Sequence, residues 1–295
     1  MLRTKKKFLK PFLLLALIGF ATSSSAIEDV RGAIPADVFE DYKAFLGDRD
    51  PRTLVSYGGK HSRRDVVEVA LILKTLSLGG FEEELSFAPV ETYSRQLVDI
   101  EDGFAALPFT SVWSSDALLR SDKVYVSETL VAPEDFVAGF YIKPENTRAA
   151  EARTVSDLAT LKAVSNPTWQ RDWKVLNSFM PEGHVYKTVI WPSMVKMVEY
   201  GRVDFLLAPF QPTSDLSLHH GGIRLVPIEG IKVSLGEGRR VIFSKKHPKG
   251  LELFTAFAKG LELMKKSGEL KRAYTESGFF NNKVQDWVLI EVNNQ

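Results

Sequence analysis

The run Pro192-Ser-Met-Val-Lys-Met-Val-Glu-Tyr-Gly-Arg-Val-Asp-Phe-Leu-Leu-Ala-Pro209 decides how this chain is read. Its first nine residues have the apolar spacing of an amphipathic helix. Pro192 suits a first helical turn, where no N–H is needed, and Gly201 suits the left-handed residue that ends a helix. Arg202-Val203-Asp204 then leads into Phe205-Leu206-Leu207-Ala208, a short apolar run that reads as a buried parallel strand. Helix into parallel strand is a unit of an α/β protein, so the same alternation is sought on either side.

It recurs along most of the chain. Thr53–Tyr57 reads as a strand leaving through Gly58-Gly59, and Arg64–Leu78 as a strong amphipathic helix stopped by Gly79-Gly80. Strands follow over Glu84–Val90, Gly103–Leu107, Lys123–Val126 and Glu134–Lys143, with a helix over Glu91–Asp99. Pro144–Asp157 is polar and reads as loop. Lys162–Ser165, Trp169–Phe179 and His184–Ile190 resume the alternation as strand, helix and strand. Gly222–Ile228 and Arg240–Ser244 are later strands, and Leu251–Lys265 is a long helix with a second starting near Ser267. The polar break near 130–150 predicts two α/β lobes, with chain crossings near 128–136 and 236–244 that make the first lobe discontinuous. The expected organisation is an N-terminal extension over 27–51, a first lobe over 52–130 and 242–295, and a second over 131–241. A ligand would sit in the cleft between them, where strand ends and helix starts converge.

The N-terminus and the composition fix the compartment. Arg3, Lys5, Lys6, Lys7 and Lys10 precede the ten-residue apolar stretch Pro11–Phe20, and Ser24-Ser25-Ala26 supplies a small-residue exit. This is the pattern of a secretory signal cleaved after Ala26, and it predicts a soluble periplasmic protein. The chain has no cysteine, which excludes disulfides, thiolate chemistry and a lipid-anchoring cysteine. Removing the five basic signal residues leaves 33 Lys+Arg against 37 Asp+Glu. That mild acidity argues against a nucleic-acid partner. No Gly-x-Ser-x-Gly, His-Glu-x-x-His or phosphate loop occurs, so neither an enzyme nor a cofactor is expected. His219 and His220 are adjacent, which suits no shared metal site from a strand, and no metal is expected.

Three blocks carry a resemblance. Leu119-Arg120-Ser-Asp-Lys-Val-Tyr-Val-Ser127 places an arginine seven residues before a serine that closes an apolar strand. Lys162-Ala-Val-Ser-Asn-Pro-Thr-Trp-Gln170 is strand, hydroxyl, helix start. Lys259–Phe280 is helix, Ser267-Gly268, helix, then Gly278-Phe279. In this order, with Gly201–Asp204 between the second and third, they resemble the extracellular solute-binding protein family 3, the amino-acid-type periplasmic binding proteins, over roughly residues 52–280. The resemblance implies a type II-like two-lobed fold, more often monomeric than not, that closes on a small polar, anionic or carboxylate-bearing ligand and delivers it to an ABC permease. The alternative is a periplasmic sensor or adaptor of the same fold acting on a membrane signalling partner.

The resemblance also implies site residues. Arg120 would grip a carboxylate with its planar fork. Thr168 and the helix start behind it would assist, and Ser115 would add a hydroxyl. Tyr57 and Trp169 would line the walls. Three departures stand out: Ala117 replaces the threonine before the arginine, Pro167 the glycine before Thr168, and Pro209 the aspartate that takes a ligand ammonium. Asp215 or Asp116 are candidates to replace that aspartate. Asp204 reads as a brace for its turn, and Arg63-Arg64 as solvated charge.

Overall fold

The computed structural model describes residues 29–291; the signal read over residues 1–26 lies outside them. The chain opens with β1 (Arg31–Pro35), α1 (Ala36–Leu46), α2 (Arg64–Leu78), β2 (Ser86–Val90), α3 (Tyr93–Asp102), β3 (Leu107–Pro108), β4 (Val112–Trp113), α4 (Ser114–Leu119) and β5 (Val124–Val126). These make a first lobe around a parallel sheet ordered β2-β1-β3. The segment expected to be an extension therefore supplies the central strand of this sheet. At that strand only Val30, Ala33 and Ile34 bury side chains, too few to show a period between charges. Gly32 permits the packing, because a Cβ at that position would lie 2.4 Å from the Phe109 ring. Thr53–Tyr57, read as the first strand, is instead the end of a 3₁₀ turn and extended chain outside the sheet.

The second lobe follows: β6 (Val137–Ile142), α5 (Thr147–Ala150), α6 (Val155–Ala159), β7 (Ala163–Ser165), α7 (Gln170–Asn177), β8 (Val185–Lys187), α8 (Trp191–Glu199), β9 (Phe205–Pro209), β10 (Leu218–His220), β11 (Ile223–Pro227) and β12 (Ile231–Ser234). Its sheet runs β10-β11-β6-β9-β7-β8, with β12 also on β6. The expected loop over 144–157 holds the short α5 and the start of α6, whose Thr154 and Asp157 form a reciprocal cap.

The stretch that opened the reading folds as its residues dictate. Pro192 lies in the first turn of α8. Gly201 has φ +65°, and two backbone bonds close the helix, Gly201 N–H to Val198 O and Arg202 N–H to Met197 O. That pair is a Schellman ending. Asp204 accepts from Asn146 Nδ2 (2.9 Å) and from the Lys162 N–H (2.8 Å), bracing the turn into the sheet. β9 then pairs parallel with β7 and antiparallel with β6, and Phe205–Ala208 are all buried.

The chain returns as β13 (Arg239–Arg240) and β14 (Ile242–Ser244), which pair antiparallel with β4 and β5. The Ser244 N–H bonds Ala106 O and sets β14 beside β3. α9 (Gly250–Lys266) and α10 (Glu269–Glu276) complete the first lobe. The C-terminus departs from the expected plan, in which 242–295 belongs to the first lobe. β15 (Val288–Ile290) pairs parallel with β12, so the chain crosses to the second lobe once more. No helix among the described residues is long and apolar enough to cross a membrane.

Candidate functional site

A cavity of about 190 Å³ lies between the lobes. The first turns of α1, α2 and α3 reach it from one side, and those of α7 and α8 from the other. Aromatic side chains from both lobes line it: Tyr93, Trp113 and Phe136 on one side, Trp169 and Trp191 on the other. The Trp169 and Trp191 ring centroids are 6.2 Å apart, and His220 meets Trp191 edge-on at 6.3 Å.

Two arginines, Arg239 and Arg64, line it from the first lobe. Arg239, on β13, is only 6% exposed. Its Nε donates to Ser111 Oγ (3.1 Å) and its Nη2 to Ser111 O, and its guanidinium lies 4.3 Å over the Trp113 ring. No carboxylate pairs with it among the described residues. Burial and the neighbouring Arg64 both push its pKa down from the ordinary arginine value. Arg64, in the first turn of α2, directs Nη1 to both Glu68 oxygens at 3.0 Å, while its buried Nε–H has no partner. Glu68 is fully buried and also accepts from the Ser111 N–H, Ser111 Oγ and Tyr274 OH. Ser111 and Glu68 thus hold both arginines in place before anything binds.

Acids line the cavity too. Arg63 binds Asp37, Asp41 and Asp65, and Asp37 and Asp65 face the cavity from that cluster. Burial raises the Asp37 pKa; Asp65 is lowered, because Arg63 and Arg64 outweigh its burial. Asp172, in the first turn of α7, is different. It is 9% exposed, and among the described residues it forms no ion pair and receives no hydrogen bond from another residue. Burial pushes its pKa up to about 6, against the opposing pull of Arg239, Arg64 and Arg171. Gln96 adds another unsatisfied group, its Oε1, while its Nε2 donates to Thr110 Oγ1 (3.1 Å).

Of the residues singled out from the sequence, Trp169 lines the cavity. The other four do not. Arg120 caps the C-terminal end of α4, away from the cleft-facing start, and its guanidinium is held by Glu101 (2.6 Å) and Asp116. Ser115 is exposed on the same helix, and its N–H is taken by Glu237. Thr168 turns both its N–H and its hydroxyl onto Asn166 Oδ1, each at 2.9 Å. Tyr57 is 0% exposed, with its OH on Glu269 (2.8 Å) deep in the first lobe. The suggested replacements for the acid missing at Pro209 are also engaged elsewhere: Asp116 by Tyr93 and Arg120, Asp215 by Arg224 and Ser217. Arg63-Arg64 are not solvated; they are the cleft-facing start of α2. Arg64, Arg239 and Asp172 were missed. A signal existed for Arg64: Glu68 is the one charged residue in the run Val66–Leu73, and a buried acid requires a cation.

No protein-family model matches this chain, and no curated protein matches it. Solved structures do. A periplasmic His/Glu/Gln/Arg/opine family-binding protein from Silicibacter pomeroyi, in complex with lysine, aligns with a TM-score of 0.55 at 12% identity, over 86% of this chain and 98% of that one. An ancestral amino acid-binding protein, a precursor of cyclohexadienyl dehydratase, gives 0.54 at 18% identity over 84% and 95%. A histidine kinase sensor domain with similarity to periplasmic binding proteins gives 0.54 at 12% over 85% and 96%. At such identities the likeness is one of architecture. The chain has the two-lobed α/β fold of the periplasmic amino-acid-binding proteins.

Proposed function

We propose that this protein captures a small anion-bearing solute, a carboxylate above all, between its lobes in the periplasm. The observation that carries the reading is Arg239. A buried guanidinium with no carboxylate in contact is costly to maintain, and a bound anion would repay that cost. Its orientation is fixed by Ser111 and Trp113, so little freedom is lost on binding. Trp169 and Trp191 would cover the rest of the solute. The activity is binding, coupled to hinge closure of the lobes.

The closed form would be presented to an ABC permease. The sensor domain among the structural neighbours favours a second reading, in which the partner is a membrane signalling protein. A thermal-shift screen of carboxylates, amino acids, polyamines and sugars tests the capture itself. A ligand at a hundred times its dissociation constant adds about 2.7 kcal/mol, or several degrees at roughly 2–4 °C per kcal/mol. Carboxylate-bearing solutes should shift the midpoint, and Arg239→Gln should remove the shift. Hits confined to sugars, or a shift that survives in Arg239→Gln, would overturn the reading. Deleting the gene separates the partners: lost uptake of the hit points to a permease, and intact uptake with a lost transcriptional response points to a sensor.

A further inference from the structure

We propose that Glu237 is a positioning residue that fixes the angle between the lobes, and with it the place of α7 in the cavity. The inference goes beyond the capture reading and holds whatever solute the cavity takes. The return crossing passes from one lobe to the other within a few residues. Leu235 follows directly on β12, and its N–H bonds Phe136 O (3.0 Å). Gly238 is already held by the first lobe, its carbonyl accepting from the Ser114 N–H (3.0 Å). Gly236 and Glu237 lie between, and Gly236 has φ +59°, which suits a residue without a Cβ at the swivel.

The Glu237 side chain spans this swivel. One oxygen accepts from the Ser115 N–H at the start of α4, in the first lobe. The other faces Arg171 Nε on α7, in the second lobe, at 3.6 Å. Arg171 Nε also donates to Leu235 O (2.7 Å), so one guanidinium grips the crossing on both sides of Gly236. The two side chains are 19% and 14% exposed, so salt screens them less than an open surface pair. No other ion pair among the described residues runs from the second lobe to this crossing or to the first lobe. Arg171 is flanked at the start of α7 by the cavity-lining Trp169 and Asp172, and Arg239 lies two residues beyond Glu237. Parting Glu237 from Arg171 therefore frees the start of α7 to move away from Arg239, and the two walls of the cavity lose their register.

The test needs no solute. The chain has no cysteine. Asp122→Cys, after α4, and Asn177→Cys, at the end of α7, therefore supply the only two sites for spin labels, both exposed. Pulsed dipolar spectroscopy on the purified, labelled protein then reads the distance between the lobes. Glu237→Gln keeps an acceptor for the Ser115 N–H and removes the ion pair; Arg171→Gln removes the pair from the other side. In each, the ratio of long-distance to short-distance populations should rise about fivefold over the labelled parent. The double variant should open no further than the single ones, because both remove the same interaction. A general loosening of the fold would not give that equality. Circular dichroism and thermal melts check folding. If Arg171→Gln, which also gives up its bond to Leu235 O, fails to fold, Glu237→Gln alone decides. A Glu237→Gln distribution that matches the parent, or a double variant that opens by the sum of the two, overturns the role of Glu237 and leaves the capture reading standing.

Discussion

Asp172 and Glu68 are both buried carboxylates, and only Glu68 is paired by other described residues. Glu68 is met by Arg64, Ser111 and Tyr274, so its charge is satisfied within the fold. Asp172 has no such partners, and burial raises its pKa to about 6. An acid whose folded pKa lies above its unfolded value binds more protons in the folded state. Stability therefore falls as pH rises through that interval, from about 4 to about 6, and the full penalty persists above it. A shift of about 2 units corresponds to about 3 kcal/mol. Asp172→Asn, which is neutral at every pH, should melt several degrees higher than wild type at pH 7.5, and the difference should shrink toward zero near pH 4. Differential scanning calorimetry across that range checks it; a gain that does not change with pH would mean the carboxylate is not the source. At this scale the sequence was only partly readable. Trp169 could be placed at a cleft-facing helix start, whereas Arg64 was read as solvated charge although the acid it pairs with, Glu68, stands in an apolar run. Asp172 and Arg239 acquire their character from side chains far away in the chain, and no local spacing reveals that.

Among the elements, α8 and its exit into β9 were the most legible, because each step is decided by neighbours in sequence. The apolar period sets the helix, Pro192 its start, Gly201 its end and the apolar run its strand. Gly201 has φ +65° and nothing lies within 4 Å of where a Cβ would be, so its substitution meets backbone strain without a clash. Gly201→Ala should therefore cost about 1–2 kcal/mol, read as a lower urea midpoint with an unchanged denaturant slope. An unaltered midpoint would show that the Schellman ending adds little. β1 was illegible for the opposite reason. Its burial comes from sheet neighbours far along the chain, Ser86–Val90 and Leu107–Pro108, and its own five residues include a glycine and a proline. Arg120 was misplaced by the geometry of α4. The spacing to Ser127 was correct as a count, but the six-residue helix before Arg120 carries the arginine at its C-terminal end, into the grip of Glu101.

The whole molecule is held together across the cleft by more than a two-stranded hinge. Crossings near 128–136 and 236–244 were expected from the alternation of elements. The last, after α10, was not, because its strand is only three residues and two of them are exposed. Its contacts lie close to the cavity. Asn281 Nδ2 donates to Gln211 O (3.1 Å), Lys283 Nζ to Ser214 O (2.8 Å), and Lys232 Nζ to the carbonyls of Val284 (2.5 Å) and Gln285 (2.9 Å). Trp287 meets Phe210 edge-on at 5.4 Å, next to the end of β9. At about 1 kcal/mol for each hydrogen bond, together with the β12–β15 pairing, this strap is worth several kcal/mol to the second lobe. It also limits how far the lobes can separate. Ending the chain at Phe280 should therefore widen the unliganded cleft. The radius of gyration in small-angle scattering should rise, and amide exchange should quicken in β12, which keeps only β6 as a neighbour. Affinity for any solute found in the screen should weaken in proportion to the loss of the binding-competent population. If the truncated chain keeps the wild-type radius and the wild-type exchange in β12, the strap is an ornament of the second lobe and the hinge alone sets the opening.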